Sequence, residues 1–437
     1  MIYKIYRVFI LFIFLASCKS EIDINQEDQN QNSGAKNNVL LIIADDMGLD
    51  STVGYNIGNQ KPNMPNLEKL INSGLKFNNV WANPVCSPTR STIITGKYGY
   101  RTSVLTVDNS LSTSETSLFK YLEENSDYNS ALIGKWHLSG KPPDHNHPSN
   151  MGIDYYAGII GGGVQNYYSW PFSKNGNSSQ STEYATTKLT NEAIEWINNQ
   201  DSSWFMWLAY NAPHTPFHLP PQNLHSQGQL DTNSSSIDAN PLPYYLAMIE
   251  SIDTEIGRLK ESINEEVLNS TTIIFIGDNG TPNQVAQQFN SRRVKGTLYK
   301  GGINVPMIIS GNQVSRKNEE ENALINTTDL FTTISELCGI NNLNMNDSKS
   351  FKKLLNNSFD SSSREYVYSE IGNENYTIRN STHKYIRFED GSEALYNLSV
   401  NEFENPNLLN ANQLPLSENN TLMKNKLISK LEEIRAN

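Results

Sequence analysis

Four apolar runs constrain the fold of this 437-residue chain more than any other feature. Val39-Leu40-Leu41-Ile42-Ile43-Ala44, Ser130-Ala131-Leu132-Ile133, Trp204-Phe205-Met206-Trp207-Leu208-Ala209-Tyr210 and Thr271-Thr272-Ile273-Ile274-Phe275-Ile276 are separated by amphipathic helical stretches. Such alternation predicts an α/β fold, a large, mainly parallel sheet sandwiched by helices. The runs end in Asp45-Asp46, in Gly134-Lys135-Trp136-His137-Leu138, in Asn211-Ala212-Pro213-His214-Thr215-Pro216 and in Gly277-Asp278-Asn279-Gly280. Open α/β sheets bind ligands outside the carboxyl ends of their strands, so these endings are expected to share one crevice.

Cys86-Ser87-Pro88-Thr89-Arg90 opens a further apolar stretch. Proline is tolerated in a first helical turn, so a helix is expected to start here, with Arg90 one turn beyond Cys86 on the same face. Free N–H groups and the positive dipole end make such a start suitable for an anion. The alternative is a buried structural cysteine, since free Cys packs as a small hydrophobe. Each strand ending also has an ordinary reading: caps or turns for the acidic pairs, loop histidines for His137 and His214, solvated side chains for Lys135 and Lys295. Their joint placement at similar sheet-edge positions favours a site.

At the start, Lys4 and Arg7 precede apolar residues 8–15, too short to span a bilayer, so residues 1–17 read as a signal peptide. Leu15-Ala16-Ser17-Cys18 resembles a bacterial lipobox, in which Cys18 becomes lipidated and holds the protein on a membrane. Plain secretory cleavage is the alternative. Both export the protein, to the periplasm or the cell surface. Residues 18–38, rich in Asn, Gln, Asp and Glu, are expected to be a lipid-anchored disordered tether, with folding from Val39. The formal net charge of −12 argues against nucleic-acid binding, although local basic clusters can still capture an anionic substrate. With Cys18 acylated only Cys86 and Cys338 remain, which is no disulfide scaffold, and a bridge between them would join distant segments.

Residues 158–187 are rich in Gly, Ser, Asn and Tyr and read as a long loop whose aromatics either stack on sugar rings or pack a small satellite core. His145, His147, His218 and His225 lie in Pro-rich or polar segments and suggest no second metal site. Leu246, Ile249, Ile252, Ile256 and Leu259 recur at helical spacing over residues 244–263. Another amphipathic helix over 329–337 gives Cys338 a structural role. Beyond residue 346, strand-like pieces at 366–369, 384–388 and 395–398 precede a terminal helix. His383 and Lys384 sit where they edge a pocket or, more simply, face solvent.

Taken in order, these motifs resemble the type I sulfatases of the alkaline phosphatase superfamily. Cys86-Ser87-Pro88-Thr89-Arg90 with Thr95-Gly96 matches the sulfatase signature, in which a separate formylglycine-generating enzyme oxidises the cysteine to Cα-formylglycine. Asp45-Asp46, the Lys135 and His137 segment, Ala212-Pro213-His214, Gly277-Asp278-Asn279-Gly280 and Lys295-Gly296-Thr297 with Gly301-Gly302 follow in the family's order. The resemblance implies a catalytic domain over 39–345 and a C-terminal α+β subdomain, an antiparallel sheet plus a helix, over 346–437. It departs from the family's habits at Lys300, at Asn304 and at Ser103, where an acidic residue, an arginine and a glycine are common.

The resemblance also implies roles. Asp45, Asp46, Asp278 and Asn279, with residue 86, would bind one Ca²⁺; these side chains offer only oxygen, which suits a hard cation rather than zinc. Hydrated formylglycine at position 86 would attack the sulfur of a sulfate ester. His214, assisted by Lys295, would protonate the leaving oxygen, and His137 would be the base that lets sulfate depart. Arg90 and Lys135 would hold the formylglycine oxygens and the sulfuryl charge. The expected substrate is a sulfated saccharide. The other readings are a phosphoester hydrolase of the same superfamily and a noncatalytic glycan-binding lipoprotein.

Overall fold

A computed structural model describes residues 37–341, 345, 347–359 and 364–436. The expected signal peptide, Cys18 and nearly all of the expected tether lie outside these residues. In chain order the strands of the large sheet are β1 (Asn38–Ala44), β2 (Gly74–Trp81), β3 (Asn129–Lys135), β4 (Tyr155–Ile159), β5 (Trp170–Lys174), β6 (Asn177–Ser181), β7 (Trp204–Tyr210), β8 (Thr271–Gly277), β9 (Asn304–Gly311), β10 (Glu319–Glu321) and β11 (Ile325–Asn326). They lie in the order β10-β2-β9-β8-β1-β7-β3-β4-β5-β6, with β11 also beside β2. The centre, β8-β1-β7-β3-β4, is parallel throughout. Antiparallel pairs flank it on both sides, which makes the sheet mixed although mainly parallel.

The apolar runs lack alternation because both faces of the sheet are covered. Along β1, Leu40, Ile42 and Ala44 enter one apolar cluster, whereas Val39, Leu41 and Ile43 enter another. Successive strand residues point to opposite faces, and each buried aliphatic side chain contributes roughly 1.5–3 kcal/mol. The helix Leu242–Ser262 supplies Leu246, Ile249, Ile252, Ile256 and Leu259 to the first cluster, as their spacing predicts. The helix Asp329–Leu337 joins the second cluster, and Cys338 packs there as a free thiol. Cys86 is free as well, so the two cysteines are not bridged.

Residues 158–187 are not loop throughout. Asn175 and Gly176, at φ +46° and +81°, form the two-residue turn of the β5–β6 hairpin. Two positive φ angles are what a tight hairpin twist needs, and Asn-Gly meets them at least strain. Tyr167, Trp170 and Tyr184 are buried in the main core rather than in a satellite, while Tyr168 is 42% exposed.

The C-terminal part forms a separate antiparallel sheet of β12 (Val367–Ile371), β13 (Asn375–Arg379), β14 (His383–Arg387) and β15 (Glu393–Asn397). The helix Glu418–Ala436 lays Leu427 and Leu431 on Tyr368, Ile378, Tyr385 and Leu395. β13 carries no apolar run, which is why its sequence does not announce it. His383 and Lys384 do not face solvent: both are buried. Lys384 Nζ pairs with Glu404 at 2.5 Å, donates to the Leu298 carbonyl and stands over the Trp81 ring. A carboxylate and a carbonyl compensate the buried ammonium, which removes the need for water. Burial, opposed by Glu404, lowers its pKa to about 8.

The departures from the family pattern also have local settings. Ser103, at φ +60°, occupies a left-handed position that glycine adopts with least strain. Lys300 pairs with Glu402, and its backbone N–H donates to Glu404. Asn304 donates to the Asn78 carbonyl.

Candidate active site

Register brings the strand endings together. Ala44 pairs with Tyr210 on one side and Gly277 on the other, so Asp45, Asn211 and Asp278 emerge side by side. β3, next to β7, ends in Lys135 at the same edge. The helix Cys86–Thr95 begins there, as the proline position predicts. Ligand atoms of Asp45, Cys86 and Asp278 lie within 4.8 Å of one another. Asp46, at φ +69°, turns its backbone N–H toward Asp278 Oδ1 at 3.0 Å. Behind it, Tyr245 donates its hydroxyl to the Asp46 carbonyl at 2.8 Å.

Charges are paired closely. Lys135 Nζ lies 2.6 Å from Asp45 Oδ2, and Arg90 Nη2 lies 2.8 Å from Asp278 Oδ2, all four side chains fully buried. Lys295 Nζ reaches Asp46 Oδ2 at 2.5 Å, and Asn279 Nδ2 donates to Asp46 Oδ1 at 2.8 Å. Three carboxylates thus face three cations. Burial alone would raise the Asp45 carboxyl, but Lys135, His214, Arg90 and Lys295 together hold it well below the usual range. Asp278 goes the other way: burial and the neighbouring Asp45 charge push it up to about 7 despite Arg90 and Lys135.

Burial pushes the Cys86 thiol up to about 11, with Lys135 opposing and Asp45 and Asp278 reinforcing the rise. At neutral pH it is a protonated thiol, and only the thiolate is a strong nucleophile. As unmodified cysteine, residue 86 is therefore poorly suited to attack anything. Its Sγ lies 3.3 Å from His137 Nδ1, and the other ring nitrogen of His137 meets Asp108 Oδ1 at 3.1 Å. Burial, with the Lys135 charge, lowers His137 to about 3, so its imidazole is neutral. His214 bonds the Thr215 carbonyl through Nδ1 at 2.8 Å, and its Nε2 lies 3.8 Å from Asp46 Oδ2. Cys86, His137, His214 and Lys295 line an open cavity of about 570 Å³, closed on one side by Gly162-Gly163 and on another by Asp108 and Lys141.

Whether this set fits a cation can be read from two atoms. Asp45 Oδ1 and Asn279 Oδ1 are buried and accept no hydrogen bond among the described residues. A buried acceptor left unsatisfied costs about 1–3 kcal/mol. Two such oxygens beside Asp278 and residue 86 match the all-oxygen preference of a hard divalent cation.

Asp45, Asp46, Cys86, Arg90, Lys135, His137, His214, Asp278, Asn279 and Lys295 meet here, whereas Cys338, His383 and Lys384 lie elsewhere. With cysteine at position 86, Arg90 donates to Asp278 and to the Lys135 carbonyl, and Lys135 to Asp45. Asp108, Lys141 and Tyr245 were not foreseen; Asp108 and Lys141 lie in loops without periodicity. Gly162 belongs to the Gly-rich stretch 158–187, whose composition marks it in the sequence.

A family model for sulfatases matches residues 37–340. The chain belongs to the sulfatase family. Among curated relatives, this sulfatase-family chain is 27% identical to mouse arylsulfatase J over 346 residues, covering 74% of itself and 55% of that protein. It is 30% identical to the uncharacterized sulfatase YdeN of Escherichia coli over 276 residues, or 56% and 48% of the two chains. It thus spans about half the length of these two relatives. An ulvan-active sulfatase of Formosa agariphila is 25% identical over 455 residues, covering 96% of this chain and 85% of that one. The fold is shared with the crystal structure of Ps i-CgsB in complex with k-i-k-neocarrahexaose, at TM-score 0.75 and 24% identity over 91% and 92% of the two chains. It is shared also with a structure in complex with its substrate D-glucosamine-2-N,6-O-disulfate, at TM-score 0.75 and 18% identity over 92% and 99%.

Proposed function

We propose that the chain is a sulfuric ester hydrolase that removes sulfate from a sulfated carbohydrate, using formylglycine made from Cys86 by a separate maturation oxidase. The observation that carries this reading is the state of residue 86. Its side chain lies with those of Asp45 and Asp278 in one buried, cation-competent cluster, ligand atoms within 4.8 Å of one another, where sulfur is a poor ligand for a hard cation and a buried, protonated thiol is a poor nucleophile. Conversion to an aldehyde and hydration to a gem-diol supplies hydroxyl oxygen where sulfur now stands. Carbohydrate as the substrate class is supported by what the similar proteins' names carry, an ulvan-active sulfatase and structures in complex with k-i-k-neocarrahexaose and with D-glucosamine-2-N,6-O-disulfate.

In this reading Asp45, Asp46, Asp278, Asn279 and the oxygen of residue 86 hold one Ca²⁺. When bound, the cation supplies positive charge against the sulfuryl oxygens and favours the ionised diol hydroxyl. The diol oxygen attacks sulfur and the S–O bond to the sugar breaks. His214 Nε2, backed by Lys295, delivers the proton that lets the sugar leave as an alcohol. His137 Nδ1, the nitrogen facing residue 86, then takes the proton of the second hydroxyl as the aldehyde reforms and sulfate departs. Arg90 and Lys135 serve at one remove, by fixing Asp278 and Asp45 and keeping the site's charge balanced.

The sequence of residues 1–18 supports export and lipid anchoring through Cys18, testable by detergent partition of wild type against Cys18→Ala. The main test is mass spectrometry of the peptide containing residue 86, from a host with the maturation enzyme, alongside sulfate release. Loss of the thiol mass and inactivity of Cys86→Ala are expected. An unmodified thiol with activity persisting in Cys86→Ala would overturn the mechanism.

A further inference from the structure

We propose that Asp108 is a positioning residue that fixes the proton of His137 on Nε2, so that Nδ1 confronts residue 86 as a proton acceptor. This rests on the sulfatase reading above for its chemical consequence, though not for its geometry. Asp108 Oδ1 lies 3.1 Å from His137 Nε2, and Asp108 Oδ2 lies 2.6 Å from Lys141 Nζ. An ionised carboxylate only accepts, so the imidazole nitrogen it faces must carry the hydrogen. In a neutral ring the other nitrogen is then a lone-pair acceptor, and which nitrogen bears the proton is set by the partner of the other. Nδ1 faces Cys86 Sγ at 3.3 Å, where the protonated thiol can donate. The hydrogen bonds run in one direction, from residue 86 through His137 to Asp108.

The pair is built, not incidental. Asp108 and His137 both sit at left-handed backbone angles, φ +62° and +58°. Such angles cost a non-glycine residue about 1–2 kcal/mol and tend to occur where surrounding structure enforces them for function. The two loops are tied together next to the pair by Leu111 N–H on the Leu138 carbonyl at 2.9 Å and by a bridge between Ser110 and Ser139. From the third side Gly162 closes on the ring, since a Cβ there would stand 2.5 Å from His137 Nε2. The ring is held in one orientation, with its Nε2 edge toward a carboxylate at the cavity rim and its Nδ1 edge inward.

The consequence concerns the second half of the reaction. When the spare diol hydroxyl of residue 86 gives its proton to Nδ1, the O–H bond breaks, an N–H bond forms and the oxygen electron pair closes the aldehyde. The C–O bond to sulfate breaks with its electrons on sulfate. The imidazolium so formed is stabilised by the Asp108 carboxylate, which keeps its own charge. With the opposite tautomer, Nδ1–H would point at that hydroxyl and could accept nothing.

The test pairs a spectroscopic with a kinetic readout. Long-range ¹H–¹⁵N correlation of the histidine rings in the unconverted thiol protein, with His137 assigned by its loss in His137→Gln, should show the Nε2–H tautomer. In Asp108→Asn, whose amide can donate, the signal should change to the Nδ1–H form. In converted enzyme, Asp108→Asn and Asp108→Ala should lower kcat by roughly 10²-fold or more with KM within about threefold, and Asp108→Glu should recover part of it. An Nδ1–H tautomer in the wild type overturns the proposal, as does a kcat within threefold of wild type in Asp108→Asn. Should Asp108→Asn fail to fold, the wild-type tautomer and Asp108→Glu kinetics still decide. A wild type that has formylglycine and the Nε2–H tautomer but releases no sulfate would sink the functional reading and leave the positioning of His137 standing.

Discussion

Arg90 and Asp278 form a 2.8 Å ion pair in which neither side chain reaches solvent, and the same guanidinium donates to the Lys135 carbonyl at 2.8 Å. Removing one partner of a buried pair leaves the other charge uncompensated, which costs about 3–5 kcal/mol. Arg90→Ala should therefore lower unfolding free energy by that amount, measured by denaturant titration, as well as abolish turnover. Arg90→Lys should recover only part, because a single ammonium cannot reproduce the planar fork that reaches two acceptors. A loss below 1 kcal/mol in Arg90→Ala would show that Asp278 is satisfied some other way.

Asp45 Oδ1 and Asn279 Oδ1, which accept no hydrogen bond among the described residues, predict calcium-dependent stability. A cation that binds the folded chain alone stabilises it by about 2.7 kcal/mol at a hundred times its Kd. Thermal unfolding of protein first stripped with chelator should move to higher temperature as Ca²⁺ is added, and Asn279→Ala should blunt the shift. An unchanged midpoint across millimolar Ca²⁺ would speak against the site.

What could be read in the sequence, and what could not, follows from how each residue is tethered. Asp45 and Asp278 directly follow buried strands, Lys135 ends one and His214 sits in the turn just beyond another, so their placement comes with the sheet itself, and the register of Ala44 with Tyr210 and Gly277 completes it. Cys86 and Arg90 were legible because proline marks a helix start. Asp108 and Lys384 were not. Asp108 lies in an aperiodic loop 29 residues before His137, and Lys384 looks like any strand lysine until Glu404 folds over it. Partners supplied by distant loops leave no local pattern.

The glycines beside His137 offer a sharp contrast. A methyl at Gly162 would lie 2.5 Å from His137 Nε2, but one at Gly161 would have nothing within 4 Å. Gly162→Ala should push the ring away from residue 86 and from Asp108, lowering kcat by about 10²-fold, the scale of a lost general base. Gly161→Ala should leave it within twofold. Equal effects from the two substitutions would mean that loop flexibility, not contact with His137, is what matters.

Acid should expose how His137 is held. Burial and the Lys135 charge lower its folded pKa to about 3, against about 6.5 in an unfolded chain. Between those values the unfolded chain binds the extra proton and the folded one does not, so stability rises with pH and is lost as pH falls below about 6.5. Asp278, raised to about 7 in the metal-free protein, works in the opposite sense, gaining stability as pH falls through that value. Comparing wild type with His137→Gln in chelator cancels that term, since both carry Asp278. From pH 7 to pH 4 the wild type should lose roughly 3 kcal/mol more than the variant, at about 1.4 kcal/mol per pH unit. Parallel pH curves for the two proteins would show that His137 takes up its proton freely while folded.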